Sequence, residues 1–366
     1  MEKRDIIRGL RVFLIITILA IVVILIFTVN RETYRVLRQM VPLYLVFTLF
    51  FALLHLYLDF LRLQVLTWAL GKFISLKSSI EFTMGGLFLG AVTPFQSGGI
   101  PLQVYILKRE GFSIGEGTAV IFFRAVLGLG VVIVALPGII SYFHIISTAQ
   151  ILKSILNYLF FFYLIAIILL MLMLFQTERV RKRLHRFGDF LRKIRIIKSD
   201  RPRRLVDRTL DEVANFKKSM GLFFKAGKWK TLLSFLLTLV SMGVYFLIAP
   251  ALLYGLGVPV PVMKAAILQL VLTYLLVFVP TPGASGVAEL GGFSLFSLIC
   301  PKELLGVYVV LWRFFTFYIS VIIGGLVLIK MVGFEKLKRI TNREGRKGAQ
   351  GTGSQEHKGK EESSPL

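Results

Sequence analysis

Ala91-Val92-Thr93-Pro94-Phe95-Gln96-Ser97-Gly98-Gly99-Ile100-Pro101 is the stretch on which the reading of this chain turns. It has an echo much later, Val279-Pro280-Thr281-Pro282-Gly283-Ala284-Ser285-Gly286. Each is a Thr-Pro turn followed by small residues and glycine, set in strongly apolar sequence. Proline removes a backbone donor and glycine permits positive φ, so each stretch interrupts a helix. Inside a bilayer the peptide groups freed by such a break are tolerated only where protein or a wet cavity receives them. Two breaks at corresponding places in two halves of a chain point to a transporter-like binding site.

The surroundings are those of a membrane protein. Of 366 residues, 56% are hydrophobic, and mean hydropathy is +0.76, far above a soluble domain. The net charge of +24 does not indicate nucleic-acid binding. It is concentrated between apolar runs, as in cytoplasmic loops that face anionic lipid. One cysteine, Cys300, excludes an intramolecular disulfide, and the four histidines have no metal-ligand spacing. No metal or cofactor is expected. The first apolar run, residues 12–29, is long enough to span and has no small-residue cleavage site after it, so no signal peptide is expected.

Lys3, Arg4, Arg8 and Arg11 place the N-terminus inside. Full spans are expected at 12–29, 41–70, 117–143, 155–175, 231–256 and 303–331. The second contains His55, Asp59 and Arg62; Asp59 and Arg62 are three apart, share a helix face and form an expected structural pair. Around the first break, 79–92 and 100–107 are half-helices too short for a hydrocarbon core of roughly 30 Å. Charged flanks make this a hairpin entering from the cytoplasm. In the second, 263–279 and 287–299 enter from the opposite side. Residues 176–230 carry 18 basic against 6 acidic residues, which is half of the net charge. Val206, Leu210, Val213, Met220 and Phe224 recur there at helical spacing. They fit amphipathic helices on the inner leaflet or a solvated connector. Arg31, Arg35 and Arg38 dissent from this orientation, since they fall outside.

The expected architecture is therefore an all-α integral membrane protein. It has about six full transmembrane helices and two re-entrant helical hairpins related as an inverted repeat. The membrane domain covers 1–333: a first half to about 175, the basic connector 176–230, and a second half 231–333. A disordered polar tail follows at 334–366. Both termini are expected in the cytoplasm of a bacterial or archaeal cell whose cytoplasmic membrane the chain crosses.

The halves also match in their charges. Thr93 to Arg124 is 31 residues and Thr281 to Arg313 is 32. An arginine at a span centre costs roughly 2.5–3.5 kcal/mol even on the lenient insertion scale. Either Arg124 and Arg313 line a cavity and bind a phosphate with the guanidinium fork, or each pairs with an acid. Glu289 is the candidate acid for one, Asp59 or Glu81 for the other. The two readings are compatible if the pair opens on binding. Ser97, Gly98, Gly99, Ser285 and Gly286 begin the returning half-helices. Free N–H groups there suit an anion, or the glycines simply allow tight packing. Gln103 and Glu289, in the first turns, either meet a head group or cap backbone. No H-E-x-x-H, G-x-S-x-G or Walker loop is present, and no catalytic residue is expected.

Gly86 to Pro101, Lys108-Arg109-Glu110-Gly111, Arg124, Pro280 to Glu289 and Trp312-Arg313 resemble the lysylphosphatidylglycerol synthase transmembrane family. That is the flippase-like membrane region of the bacterial multiple peptide resistance factor, and the resemblance covers about 10–332. It implies a lipid flippase fold with Thr93, Pro94, Pro280, Thr281, Pro282 and Gly283, with the residues named above, near the head-group path. The full-length factor adds a soluble aminoacyl-transferase domain, where this chain has a short polar tail, so lysyltransferase activity is not expected. The implied cargo is an anionic or aminoacylated phosphatidylglycerol, or an isoprenoid phosphate. The alternative is a membrane subunit working with a lipid-modifying or cell-envelope transferase docked on 176–230, and an oligomer is compatible with either.

Overall fold

In the computed structural model the described residues are 40–146, 201–225 and 227–331, with single positions at 38, 154, 157, 158, 160–165 and 168. The expected span 12–29, most of 155–175, the connector before 201 and the tail from 334 lie outside them.

Every element among the described residues is helical. The first is α1 (Pro42–Ala69), opened by Pro42 at a position whose N–H needs no partner and closed before Gly71, at φ 79°. Next, α2 (Leu76–Ala91) begins where the Ser75 hydroxyl accepts the Ser78 N–H at 3.1 Å. It ends at the first Thr-Pro tip, and α3 (Gly99–Arg109) returns against it. Then come α4 (Ile114–Ile146), α5 (Arg201–Phe224), α6 (Lys228–Phe246) and α7 (Ile248–Gly255). The second tip lies between α8 (Val262–Leu275) and α9 (Val287–Phe296). Finally α10 (Lys302–Arg313) runs through a π-helical turn, Phe314–Tyr318, into one apolar helix ending at Met331.

Among the described residues four helices are long and apolar enough to cross a membrane: Pro42–Ala69, Ile114–Ile139, Lys228–Gly255 and Lys302–Met331. They coincide with four of the six expected spans. At 1.5 Å per residue each exceeds the roughly 30 Å of hydrocarbon. The protein is an all-α integral membrane protein, and α1 shows how it is turned inside out. Leu43, Val46, Phe50, Leu53 and Tyr57 form its exposed stripe, while Thr48, Asp59 and Arg62 face inward. Water would favour the opposite arrangement; lipid favours this one.

Among the described residues two large hydrophobic cores stack along the helices rather than merging, beside a small cluster at Ala91 and Val321. One holds Ala52 of α1, Leu252 and Leu253 of α7, Leu268 of α8 and Trp312 of α10. The other holds Leu63 and Leu66 of α1, Phe82 of α2, Phe123 of α4 and Phe223 of α5. Antiparallel to α1, α6 and its continuation α7 pass through both, tied to it by Val41 N–H to the Gly255 carbonyl at the end of α7 and by Lys230 Nζ of α6 to the Trp68 carbonyl, each 3.1 Å. Between the cores lies a polar waist: Asp59 and Arg62, Thr238, and His55 with Ser241.

In the helix at 201–224 protein covers part of the apolar face that the sequence left to the inner leaflet or to a solvated connector. Its buried Met220 and Phe223 pack on α4, with the Phe123 and Phe223 rings stacked at 4.3 Å. Glu212 accepts the Gly115 N–H at 2.6 Å. Amphipathic spacing marks an apolar face but does not say whether lipid or protein covers it.

Close backbone approach also sets how α2 meets the last helix. A Cβ on Gly324 would lie 2.2 Å from the Met84 carbonyl oxygen. Gly324→Ala is therefore expected to cost about 1–3 kcal/mol by forcing these helices apart. Gly130→Ala, whose Cβ meets nothing within 4 Å, is the matched control. Thermal unfolding in detergent reads both.

Candidate functional site

The two tips share one backbone design. Thr93 and Thr281 are extended, and each is followed by proline. The next two residues are left-handed in both: Phe95 and Gln96 at φ 51° and 55°, Gly283 and Ala284 at 60° and 54°. The Gln96 and Ala284 N–H groups return to the Thr93 and Thr281 carbonyls, at 3.2 and 2.9 Å. The hydroxyls of Ser97 and Ser285 both donate to the preceding proline carbonyl at 2.9 Å. Two adjacent non-glycine residues with positive φ store strain, which clusters at functional sites. Phe95 is 64% exposed, so little packing holds it. Phe95→Gly, the residue that Gly283 already supplies in the second tip, is expected to raise unfolding stability by about 1 kcal/mol, read by thermal unfolding.

Beyond the serines the tips diverge. Thr93 Oγ accepts the Gly98 N–H at 2.8 Å and donates to the Leu89 carbonyl at 2.7 Å, so one helix-start donor is already taken. Gly98 and Gly99 lie against the backbone of α2: a Cβ on Gly99 would be 2.6 Å from the Gly86 carbonyl oxygen. Gln103 covers Gly86 from the same helix. In the second tip Glu289 reaches back to the Gly286 N–H at 2.7 Å. The Thr281 hydroxyl donates to the Ser285 carbonyl at 3.0 Å. Pro94, Ser97 and Pro280 are exposed, while Pro282 is buried.

Pro94–Gln96 packs directly on Pro282–Ala284. Beside this contact lies a cavity of about 310 Å³, bounded by Gln96, Gly283 and Ala284 from the tips and by α1, α6, α8 and the last helix. That size falls at the lower end for small-molecule sites. Of the residues singled out in the sequence, Gly283 and Arg313 line it. Trp312, quoted above for the family resemblance, lines it as well, with Tyr245, Thr273, Thr316 and Ser320. Those four escaped the sequence reading because hydroxyl and aromatic residues are ordinary in apolar helices. The signal available was the Trp312-Arg313 pair followed by Thr316 and Ser320 at one-turn spacing.

Arg313 is held from three directions. Its Nε donates to Glu289 Oε1 and its Nη2 to the Gly283 carbonyl, each at 3.0 Å. The Phe317 ring lies 4.2 Å beneath the guanidinium carbon. Tyr318 donates to Glu289 Oε1 at 3.1 Å. The π-helical turn places both rings here, a distortion frequent at functional sites. Arg124 lies elsewhere, outside the cavity lining. It is paired with Asp59, which Arg62 also holds at 2.7 Å, and it sits over the Phe82 ring. Glu81, the other acid considered for it, is paired with Arg109. Among the described residues no group of three His, Cys, Asp or Glu could hold a metal.

The description "Lysylphosphatidylglycerol synthase TM region" matches residues 12–324, which includes both tips, both arginines and the cavity. The chain belongs to that family. A relative, the UPF0104 membrane protein of Archaeoglobus fulgidus, is 25% identical over 316 residues. The alignment covers 86% of this chain and 94% of that protein. No solved structure matches. Membership accounts for a multi-pass membrane protein with a lipid-related role.

Proposed function

We propose that the protein is a lipid translocase that passes a phosphate-bearing head group between leaflets through the space at the two tips. One observation carries this reading: two Thr-Pro tips of the same strained design, far apart in sequence, meet beside a cavity lined by a buried guanidinium. Arg313 supplies the fork that a phosphate oxygen accepts. Glu289 holds the fork until the head group arrives and keeps the charge balanced in its absence. Acyl chains stay in the bilayer. On this reading α2–α3 and α8–α9 are re-entrant hairpins entering from opposite faces of the cytoplasmic membrane, related as an inverted repeat, so that the site opens alternately to each side.

The test is lipid flipping by purified protein in liposomes. Tail-labelled phosphatidylglycerol is quenched from outside, beside empty liposomes and an Arg313→Ala variant. Quenching beyond the one-leaflet plateau, absent from both controls, supports the translocase. A plateau at about half, as for a lipid locked in one leaflet, sinks it and favours a membrane subunit that works through a transferase.

A further inference from the structure

We infer that the cavity accepts a lipid phosphate whose head group is free of amines, and that it turns away aminoacylated head groups. This rests on reading the cavity as the head-group path; it goes further by naming the class of head group.

A cationic head group needs a counter-charge, and the carboxylates nearby are committed, which leaves only neutral acceptors such as Gln96 and Thr273 on the wall. Among the described residues no carboxylate lines the cavity. Glu289 is fully buried behind Arg313. Its Oε1 takes Arg313 and the Tyr318 hydroxyl, and its Oε2 takes the Gly286 N–H at 2.7 Å. The Gly283 carbonyl is bonded to Arg313, and the Phe317 face lies under the same guanidinium, so the rings left for an ammonium, such as Tyr245 and Tyr274, carry no counter-charge. At the waist nearby, both oxygens of Asp59 are held, one by Arg62 and one by Arg124. Two arginines share that single carboxylate, so the cluster keeps one positive charge, and Arg62 Nε and Arg124 Nε are buried without partners.

Donors, by contrast, are in surplus. Trp312 lines the cavity at 2% exposure, and its indole N–H has no partner. Indole donates only, so it suits a phosphate or hydroxyl oxygen and nothing cationic. Ser320 adds a hydroxyl that serves a polyol head group in either sense, and Thr316, whose hydrogen goes to the Trp312 carbonyl at 2.6 Å, adds an acceptor for a polyol hydroxyl. An ammonium placed here would stand beside Arg313 without a counter-charge, the arrangement that most disfavours a ligand in a desolvated site.

The experiment titrates short-chain phosphatidylglycerol and its lysyl ester onto the purified full chain in detergent, reading thermal stabilisation. The tail-labelled pair is followed for flipping in parallel. Phosphatidylglycerol is expected to bind about tenfold or more tightly than the lysyl ester and to flip faster. Ser320→Asp, and separately Thr316→Glu, place a carboxylate in the cavity and are expected to narrow or reverse that preference. Equal or tighter binding of the lysyl ester to wild type overturns the inference, as does binding of neither lipid. If flipping fails for both lipids while the binding preference holds, the translocase reading falls and the head-group assignment stands.

Discussion

Arg313→Ala is expected to abolish lipid translocation and to lower stability by about 3–5 kcal/mol, the toll of removing one partner from a buried pair. The loss comes mostly from what remains. Glu289 is fully buried, and without the guanidinium it keeps only a backbone N–H and a tyrosine hydroxyl for its charge. The Gly283 carbonyl, part of the strained second tip, loses its donor as well. Stability and function are separable through the double change Arg313→Met with Glu289→Gln. Replacing both charges with groups of similar volume is expected to recover most of the unfolding temperature, because the desolvation of two ions goes with them. Translocation is expected to stay lost, since no cation remains for the phosphate. Thermal unfolding in detergent and liposome flipping on the same preparations separate the effects. Full transport by the double variant would remove Arg313 from the mechanism.

The second large effect lies at the waist, where the order of severity follows from counting charges. Asp59→Ala strands two guanidinium groups in the interior and is expected to cost about 3–5 kcal/mol or to prevent folding. Arg124→Met leaves Asp59 with Arg62, one carboxylate and one guanidinium at 2.7 Å, a balanced pair. Its expected cost is smaller, about 1 kcal/mol, mostly lost packing over the Phe82 ring. Because Arg124 does not line the cavity, its effect on flipping is expected to be well below that of Arg313. Measuring both variants for expression, unfolding temperature and flipping tests this ranking. An Arg124 variant that folds normally yet transports nothing would place that residue on the lipid path.

Much of this was legible in the chain. A Thr-Pro step followed within a few residues by glycine announces a helix break whatever surrounds it, so both tips were visible, as was their matching distance to an arginine. Asp59 and Arg62 share a face by spacing alone. Glu289 as partner to Arg313 was one of two options, because a sequence shows which acids exist and not which helices touch. The same gap left Asp59 and Glu81 both open for Arg124, and packing resolves it: α4 meets α1, while Glu81 faces the end of α3 and takes Arg109. A cavity beside Arg313 was an expectation of the sequence, but most of its wall could not be read. Its wall assembles Tyr245, Thr273 and Thr316 from three helices, and each alone looks like a helix residue with a satisfied hydroxyl.

The separation of the two hydrophobic cores by a polar layer has an energetic corollary. A single continuous core would spread the damage of any cavity-forming change through shared neighbours. Here Leu252 and Phe223 belong to different cores, and the groups between them are held by charge and hydrogen bonds rather than by packing. Truncations at the two ends should therefore sum like changes in unconnected proteins, within about 0.5 kcal/mol. Either one combined with a change at Asp59 should not sum, because the waist touches both ends. The molecule is thermodynamically two compartments with one lock.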